Sequence, residues 1–209
     1  MRLSAPITFG IAQLSLLLTD FARRYPEIQL DVNFADRLVH LVDEGYDLAV
    51  RIGKLSDSSM MARKLCDSHI ICVASPEYLA QHGTPDTPEA LLNHRCIVDT
   101  NFQDPYSWTF SVAGVIKAVA IPGKLYFSNA EACLTAAKQG LGITRVPSFV
   151  AGNSLRNGEV VPLLQALETP PMGIYVVYPA ARALPAKVRA LVNFLVERYE
   201  SAPPWDQGW

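Results

Sequence analysis

Apolar and polar residues follow two different periods in the first part of the chain. Between Ile11 and Phe21 the apolar side chains recur every three or four residues, which predicts a helix with one buried face. Residues 28–34 alternate strictly between apolar and polar, which predicts a strand. Shorter patterns add strands at residues 2–7 and 46–52 and a helix at residues 37–44. Strands that alternate with helices favour a parallel sheet with right-handed crossovers.

The helix signals change in the middle of the chain. Two helices are predicted where an N-cap residue is followed by proline, at residues 75–76 and 87–88. Ser128, with Glu131 three residues later, forms a capping-box pattern that predicts another helix. Further strands are predicted at residues 69–74, 95–100, 108–113, 115–121, 142–146, 160–164 and 173–178, and a last helix at residues 188–199. The whole pattern therefore indicates the α/β class.

Composition narrows the class of partner. Half of the residues are hydrophobic, 18% are charged and the net charge is -2, as in a soluble globular protein. Proteins that grip nucleic acid through phosphates usually carry a basic excess, so we do not expect this segment to hold DNA by itself. The chain contains neither an apolar run of about 20 residues nor a signal peptide, so no membrane contact is expected.

The cysteines and histidines argue against an enzyme. The four cysteines are far apart and suit neither a disulfide framework nor a zinc site, so we expect buried thiols in a reducing, cytoplasmic compartment. The four histidines lack a metal-binding spacing. Residues 140–142 lack the third glycine of a dinucleotide fingerprint, and neither a nucleophile elbow nor a P-loop is present. We therefore expect no catalytic residues, no cofactor and no metal.

Four stretches, taken in order, resemble one known family. They are LSAPITFG at residues 3–10, LVDEGYDLAVRIG at 41–53, VASPEYL at 73–79 and GLGITRVP at 140–147. Each stretch alone is weakly specific, but the series at this spacing is similar to the effector-binding domain of LysR-type transcriptional regulators. The resemblance extends from about residue 1 to about residue 200.

The resemblance implies a two-lobed fold like that of type 2 periplasmic binding proteins, each lobe a mostly parallel sheet flanked by helices. One lobe would comprise residues 1–73 and 172–200, and the other residues 74–171. The helix signals agree, because they change near Ala74 and again near the two prolines at 170–171. Residues 201–209 contain two prolines and a glycine and are predicted to be a disordered tail.

The resemblance also implies the partners of the parent protein. Family members carry a winged helix-turn-helix at the N-terminus, and nothing of that kind precedes Met1. DNA would therefore be contacted only through that absent domain. The resemblance further implies a small-molecule effector and assembly into a homodimer or tetramer.

The candidate ligand site follows from strand ends. In an open parallel sheet, ligands bind beyond the carboxyl ends of strands, where helices begin. Thr8 and Ser128 are predicted to cap two such helices, one in each lobe, and free N–H groups there favour a carboxylate or other anion. The resemblance places inducer contacts at the same two turns. The predicted ligand-binding residues are Pro6, Ile7, Thr8, Phe9, Ala35, Asp36, Thr100, Asn101, Phe102, Ser128, Asn129, Ala130 and Arg145.

Alternatives for these residues and for the whole chain stay open at this point. Thr8 and Ser128 could serve only as helix caps, Asp36 could cap a helix that begins at Arg37, and Trp108 is assigned to the core. The favoured function is an inducer-sensing regulatory domain that holds a small molecule in the cleft between its lobes. An anion is one candidate for that molecule. The alternative is a solute-binding protein of a transport system, which shares the architecture.

Overall fold

The computed structural model describes residues 1–55, 60–180 and 184–209. The chain forms two compact units. The first comprises Met1–Ser68 and Met172–Pro204, and the second comprises His69–Pro171 and Trp205–Trp209. The last five residues therefore belong to the second unit, so the chain passes between units once more than the sequence predicts.

Twelve strands and six α-helices are present in the described residues. The strands are β1 (Arg2–Ala5), β2 (Asp31–Phe34), β3 (Leu48–Ile52), β4 (Met60–Ser68), β5 (Ile70–Ala74), β6 (Cys96–Asp99), β7 (Ser107–Val112), β8 (Val115–Ala120), β9 (Gly123–Phe127), β10 (Ile143–Pro147), β11 (Val161–Leu163) and β12 (Met172–Pro179). The α-helices are α1 (Ile7–Phe9), α2 (Ser15–Arg24), α3 (Pro76–His82), α4 (Ala130–Lys138), α5 (Ser148–Arg156) and α6 (Ala186–Arg198). A π-helical turn (Gly10–Leu14) joins α1 to α2, and 3-10 turns cover Pro88–Asn93, Gln165–Leu167 and Pro204–Asp206.

The first unit is built on a five-stranded sheet in the order β2-β1-β3-β12-β4. β1 runs parallel to β2 and β3, whereas β12 runs antiparallel to β3 and β4. The apolar faces predicted for α2 and α6 are buried, and the rings of Phe21 and Phe194 meet edge to face with centroids 5.4 Å apart. The 3.6-residue periodicity therefore predicted most of the side chains that enter the core. Ile11 is the exception, because it lies in the π-helical turn and is 62% exposed.

The helix predicted at residues 37–44 is absent: residues 38–40 have no regular structure, and turns cover residues 41–45. Arg37 pairs with the carboxylate of Glu44, and that carboxylate also accepts a hydrogen bond from the main-chain N–H of His40 at 2.9 Å. The bond with Arg37 is the main reason that the pKa of Glu44 falls to about 2. Val39 and Leu41 are buried in alternation, a spacing that a helix cannot produce on one face. The prediction was wrong because the Glu44 side chain takes the N–H of His40, although the N–H of Glu44 still donates to the carbonyl of His40 as it would in a helix.

The second unit contains a five-stranded sheet in the order β11-β5-β10-β6-β9 and a separate β7–β8 hairpin. β6 is parallel to β9 and β10, whereas β5 is antiparallel to β10 and β11. Both five-stranded sheets are thus mixed, and the prediction of mostly parallel pairing is corrected. The strands that follow connections without a crossover helix are free to pair antiparallel.

The core of the second unit lies between its sheet and the hairpin. Trp108 and Phe110 are buried there among apolar residues from β5, β6 and β10, which confirms the assignment of Trp108 to the core. The four cysteines of the chain are all buried and none forms a disulfide. Burial raises the pKa of Cys72 to about 12, so this thiol is protonated at neutral pH.

The C-terminal residues pack against the second unit rather than forming the disordered tail that the composition predicts. The indole of Trp205 is 3% exposed and meets the ring of Phe149 edge to face, with centroids 6.2 Å apart. Gly152 provides the space, because a Cβ there would lie 2.5 Å from the carbonyl oxygen of Trp205. The composition predicted disorder because residues 201–209 contain two prolines and a glycine, but the burial of the Trp205 side chain holds the segment in place.

Among the residues that the structure describes, no helix combines the length and the apolar character needed to cross a membrane.

Candidate functional site

The first predicted turn lies where β1 and β2 end side by side in the first unit. Ala5 and Phe34 are register partners, and the N–H of Ala35 donates to the carbonyl of Ala5 at 2.9 Å. The helical run begins at Ile7 and passes close to β2 at Gly10. A Cβ at Gly10 would lie 2.3 Å from the ring of Phe34, so only glycine allows this approach.

Asp36, not Thr8, caps the helix that begins at Ile7. The main-chain N–H of Ile7 donates to Oδ1 of Asp36 at 3.0 Å, although 29 residues separate them. Thr8 lies inside α1, and Pro6 precedes the helix without a side-chain bond. Both cap predictions for this region, Thr8 for its own helix and Asp36 for a helix at Arg37, are thereby corrected. A cap taken from a neighbouring strand end leaves no local sequence signal.

This capping changes the chemistry expected of the first turn. The carboxylate of Asp36 already supplies an acceptor and a negative charge beside the helix start, so an anion would meet a like charge there. Phe9 is fully buried, and its ring packs 6.5 Å from that of Tyr199. Of the predicted residues in this unit, Ile7 and Asp36 are joined directly, whereas the Phe9 side chain belongs to the core.

Replacing Asp36 by alanine is expected to lower the free energy of unfolding by about 1 kcal/mol, because Ile7 loses its acceptor. Urea denaturation checks this value. Thr8→Ala is the control and should cost less, since Thr8 lies inside α1 and not at its N-cap position. Equal losses in the two variants would contradict the assignment of the cap to Asp36.

In the second unit, the structure brings two predicted segments to one edge of the sheet. The parallel strands β6 and β9 end together at Asp99 and Phe127, which are register partners. Residues 100–102 follow β6, and residues 128–130 follow β9 and lead into α4. We name these two segments the β6–β9 edge. Parallel pairing explains their meeting, because the carboxyl ends of parallel strands lie at the same edge.

Hydrogen bonds fix the two segments of the β6–β9 edge to one another. The main-chain N–H and Oγ1 of Thr100 both donate to the carbonyl of Phe127, at 2.7 and 3.1 Å. Nδ2 of Asn101 donates to the carbonyl of Ser128 at 2.8 Å. The N–H of Asn101 donates to Oδ1 of Asp99 at 2.9 Å. The edge is therefore a set of polar groups with defined positions.

Asn129, not Ser128, caps α4. Oδ1 of Asn129 accepts from the N–H groups of Glu131 and Ala132, at 2.9 and 3.2 Å. The capping-box prediction was one residue early, because Asn caps as well as Ser and stands next to the first helical residue, Ala130. Ser128 is exposed, and its hydroxyl forms no hydrogen bond with a residue of the described ranges. The competition between capping and ligand binding therefore does not arise at Ser128.

Arg145 lies on β10 in a nearly closed environment and is 9% exposed. Its guanidinium carbon lies 4.8 Å from the ring centroid of Phe102 and 5.6 Å from that of Trp108. Burial lowers the pKa of Arg145, and the negative charge of Asp99 opposes the change. An arginine nevertheless keeps its proton at neutral pH. The residue therefore brings a positive charge close to Phe102 of the β6–β9 edge.

Asp99 is the neighbouring polar residue that sequence reasoning missed. It is 6% exposed, ends β6 and orients Asn101. A carboxylate at the end of the apolar run of residues 96–98 was the available signal, because a buried charge needs partners. In the part of the chain that the structure describes, no three His, Cys, Asp or Glu residues are arranged to hold a metal ion.

A family model matches nearly the whole chain. Residues 1–200 match the model described as LysR substrate binding domain. The chain is 35% identical over 195 residues to an uncharacterized HTH-type transcriptional regulator of Haemophilus influenzae, which covers 93% of this chain and 68% of that protein. It is 35% identical over 205 residues to the HTH-type transcriptional regulator PtxR of Pseudomonas aeruginosa, covering 97% of this chain and 65% of that protein. The chain thus spans about two thirds of the length of these curated relatives.

Solved structures agree with the sequence matches. The regulatory domain of CrgA, a LysR-type transcriptional regulator from Neisseria meningitidis, superposes with a TM-score of 0.83 at 30% identity, covering 95% of this chain and 98% of that chain. The regulatory domain of AphB in Vibrio vulnificus superposes with a TM-score of 0.82 at 27% identity, again covering 95% and 98%. These matches extend over both units of the fold.

Proposed function

Because the chain belongs to the LysR substrate-binding domain family, we propose that this effector-binding domain takes up its effector at the β6–β9 edge. The observation that carries the proposal is the joining of two strand ends and a helix start by hydrogen bonds, with the hydroxyl of Ser128 left for a ligand. Such an edge suits a small polar molecule, because polar groups held in defined positions can replace the hydrogen bonds that the molecule makes with water. Ligand binding would then shift the population of conformations according to its differential affinity.

The parent protein would be a DNA-binding transcription regulator of the cytoplasm. Relatives of greater length are HTH-type transcriptional regulators, whereas this chain has a net charge of -2. DNA contact would therefore lie in a separate helix-turn-helix domain. A transport solute-binding protein is not favoured, since the matched relatives and structures are regulators. The domain would bind its effector without chemical turnover, so effector recovered from the complex should be unchanged by mass spectrometry.

Self-association through the helical run that begins at Ile7 is part of the proposal. Ile11 and Leu16 are 62% and 68% exposed on that run, an arrangement that suits a contact with a second copy. A homodimer or a tetramer in solution would be recognised by light scattering coupled to size-exclusion chromatography. Ile11→Lys should then shift the mass toward the monomer.

A thermal-shift screen with small carboxylates, aromatics and amino acids tests the site. A ligand present at 100 times its Kd should add about 2.7 kcal/mol to the apparent stability. Ser128→Ala should fold normally and bind the same ligand about tenfold more weakly, as expected for one lost hydrogen bond. The control is Ser111→Ala, on β7 of the same unit. If Ser128→Ala responds to every ligand as the parent chain does, the β6–β9 edge is not the site.

A further inference from the structure

Arg145 holds a buried Nε–H donor without an acceptor. Its Nε is buried and has no hydrogen-bond partner, and its guanidinium forms no ion pair with a residue of the described ranges. Two exposed arginines of the chain, by contrast, do have hydrogen-bond acceptors: Arg2 donates to Asp31, and Arg156 donates to the carbonyl of Gln207. A buried charged donor left unpaired is strongly unfavourable, so such a group in a native protein calls for a partner.

The surroundings of Arg145 define what that partner must be. The aromatic rings of Phe102 and Trp108 lie against the guanidinium, which leaves its N–H edge as the place for an acceptor. Asp99 acts on Arg145 through space and uses Oδ1 to bind the N–H of Asn101. Cys72, the register partner of Arg145 on β5, is a protonated thiol and brings no charge. The residues around Arg145 therefore leave its buried Nε–H without an acceptor.

We propose that Arg145 is the anchor for the carboxylate group of a small organic acid, with Phe102 as the side chain that covers the bound group. The inference rests on the proposed function, because the β6–β9 edge would hold the remainder of the same molecule. The two oxygens of a carboxylate match the two parallel N–H groups of a guanidinium edge. A phosphate dianion fits less well, because the buried carboxylate of Asp99 lies near and two charges must be desolvated.

Phe102 is placed to act as the cover. Phe102 lies in the loop that follows β6. Its side chain is half-buried, and its ring packs against the guanidinium of Arg145. Trp108 on the other hand is almost completely buried and belongs to the core. An acid can therefore reach the guanidinium edge when the Phe102 ring rotates away. Phe102→Ala is expected to raise the association and dissociation rates of the acid together.

Arginine Nε–Hε resonances of the 15N-labelled chain provide a direct test. Acetate, benzoate and phenylacetate are titrated beside acetamide, benzamide and phenylacetamide, with inorganic phosphate as a further probe. At least one of the acids should move the Arg145 signal, assigned by its loss in Arg145→Lys, whereas the neutral amides should not. The dissociation constant of that acid should rise at least tenfold in Arg145→Met and stay unchanged in Arg95→Met, which removes an exposed arginine of the same unit.

Stability measurements separate an anchor from a structural arginine. Replacing an unpaired buried cation by an apolar residue is often neutral or stabilising, so ligand-free Arg145→Met should unfold at the same or a higher temperature. If Arg145→Met does not fold, Arg145→Lys serves instead, because lysine keeps the charge but loses the planar fork. A purely structural Arg145 would lower the unfolding temperature in Arg145→Met and leave acid binding unchanged, which overturns the proposal.

The remaining outcomes also decide the matter. An Arg145 signal that none of the three acids moves overturns the proposal, and so does a signal that responds to phosphate alone. An effector whose affinity falls in Ser128→Ala but not in Arg145→Met leaves the proposed function intact and removes this inference alone. An effector that is sensitive to neither variant removes both.

Discussion

Replacing Trp205 by alanine is expected to lower the free energy of unfolding of the second unit by about 3–5 kcal/mol. The indole is almost completely buried and packs edge to face against Phe149. Residue 152 must be glycine here, because a Cβ at Gly152 would collide with the main chain of Trp205. Removal of the indole leaves a cavity and releases the residues that follow it. Urea denaturation, monitored by fluorescence of the remaining tryptophans, measures the loss.

A second variant distinguishes the packing of Trp205 from a general effect of removing an aromatic residue. Tyr106→Ala removes a ring that is 56% exposed in the same unit and should cost about 0.5 kcal/mol. Limited proteolysis should cut Trp205→Ala within residues 201–209 faster than the parent chain. Deletion of residues 205–209 without loss of stability would show that the tail is as disordered as its composition suggests.

Replacing Gly142 by alanine is expected to cost about 3 kcal/mol, at the upper end of what overpacking usually costs. A Cβ at this position would lie 2.3 Å from the carbonyl oxygen of Arg95. That carbonyl cannot move aside freely, since it accepts the main-chain N–H of Ile143 at 2.9 Å at the beginning of β10. The clash must therefore be relieved by separating β10 from the chain that enters β6. Urea denaturation measures the loss of stability.

Gly83→Ala is the matched control for Gly142→Ala. Gly83 has a φ of +81° but nothing within 4 Å of a Cβ, so alanine there should cost only about 1–2 kcal/mol of backbone strain. The larger loss of unfolding free energy expected for Gly142→Ala comes from the close contact with the carbonyl of Arg95. Equal losses at both glycines would mean that backbone conformation alone, and no close approach of strands, requires Gly142.

The helices of the first unit show what a local hydrophobic pattern can predict and what it cannot. The apolar positions of α2 and α6 were recognisable because each helix buries one face, and burial repeats with the period of the helix. Residues 37–44 carry a similar spacing, but Glu44 binds Arg37 and the N–H of His40 there. The competing bonds of a side chain leave no trace in a hydrophobic pattern, so the helix prediction failed.

The candidate site was predictable in part. Residues 100–102 were expected to lie near a ligand because they follow a strand, and residues 128–130 because they begin a helix. What brings them together is the parallel pairing of β6 with β9, a strand that the sequence patterns did not predict. The caps were misassigned, since Asp36 reaches Ile7 across 29 residues and Asn129 takes the role expected of Ser128. A helix start identifies a need for acceptors, whereas only the fold decides which side chain supplies them.

By itself the sequence determined the α/β class, the elements with strong periodicity, the burial of the cysteines and the family resemblance. These features depend on residue spacing and on short motifs, both of which are local. Tertiary structure alone decided the docking of Trp205, the choice of caps and the environment of Arg145 between Phe102 and Trp108. Each of these joins residues far apart in the chain, and the free energy of such contacts depends on packing and desolvation that no local window contains.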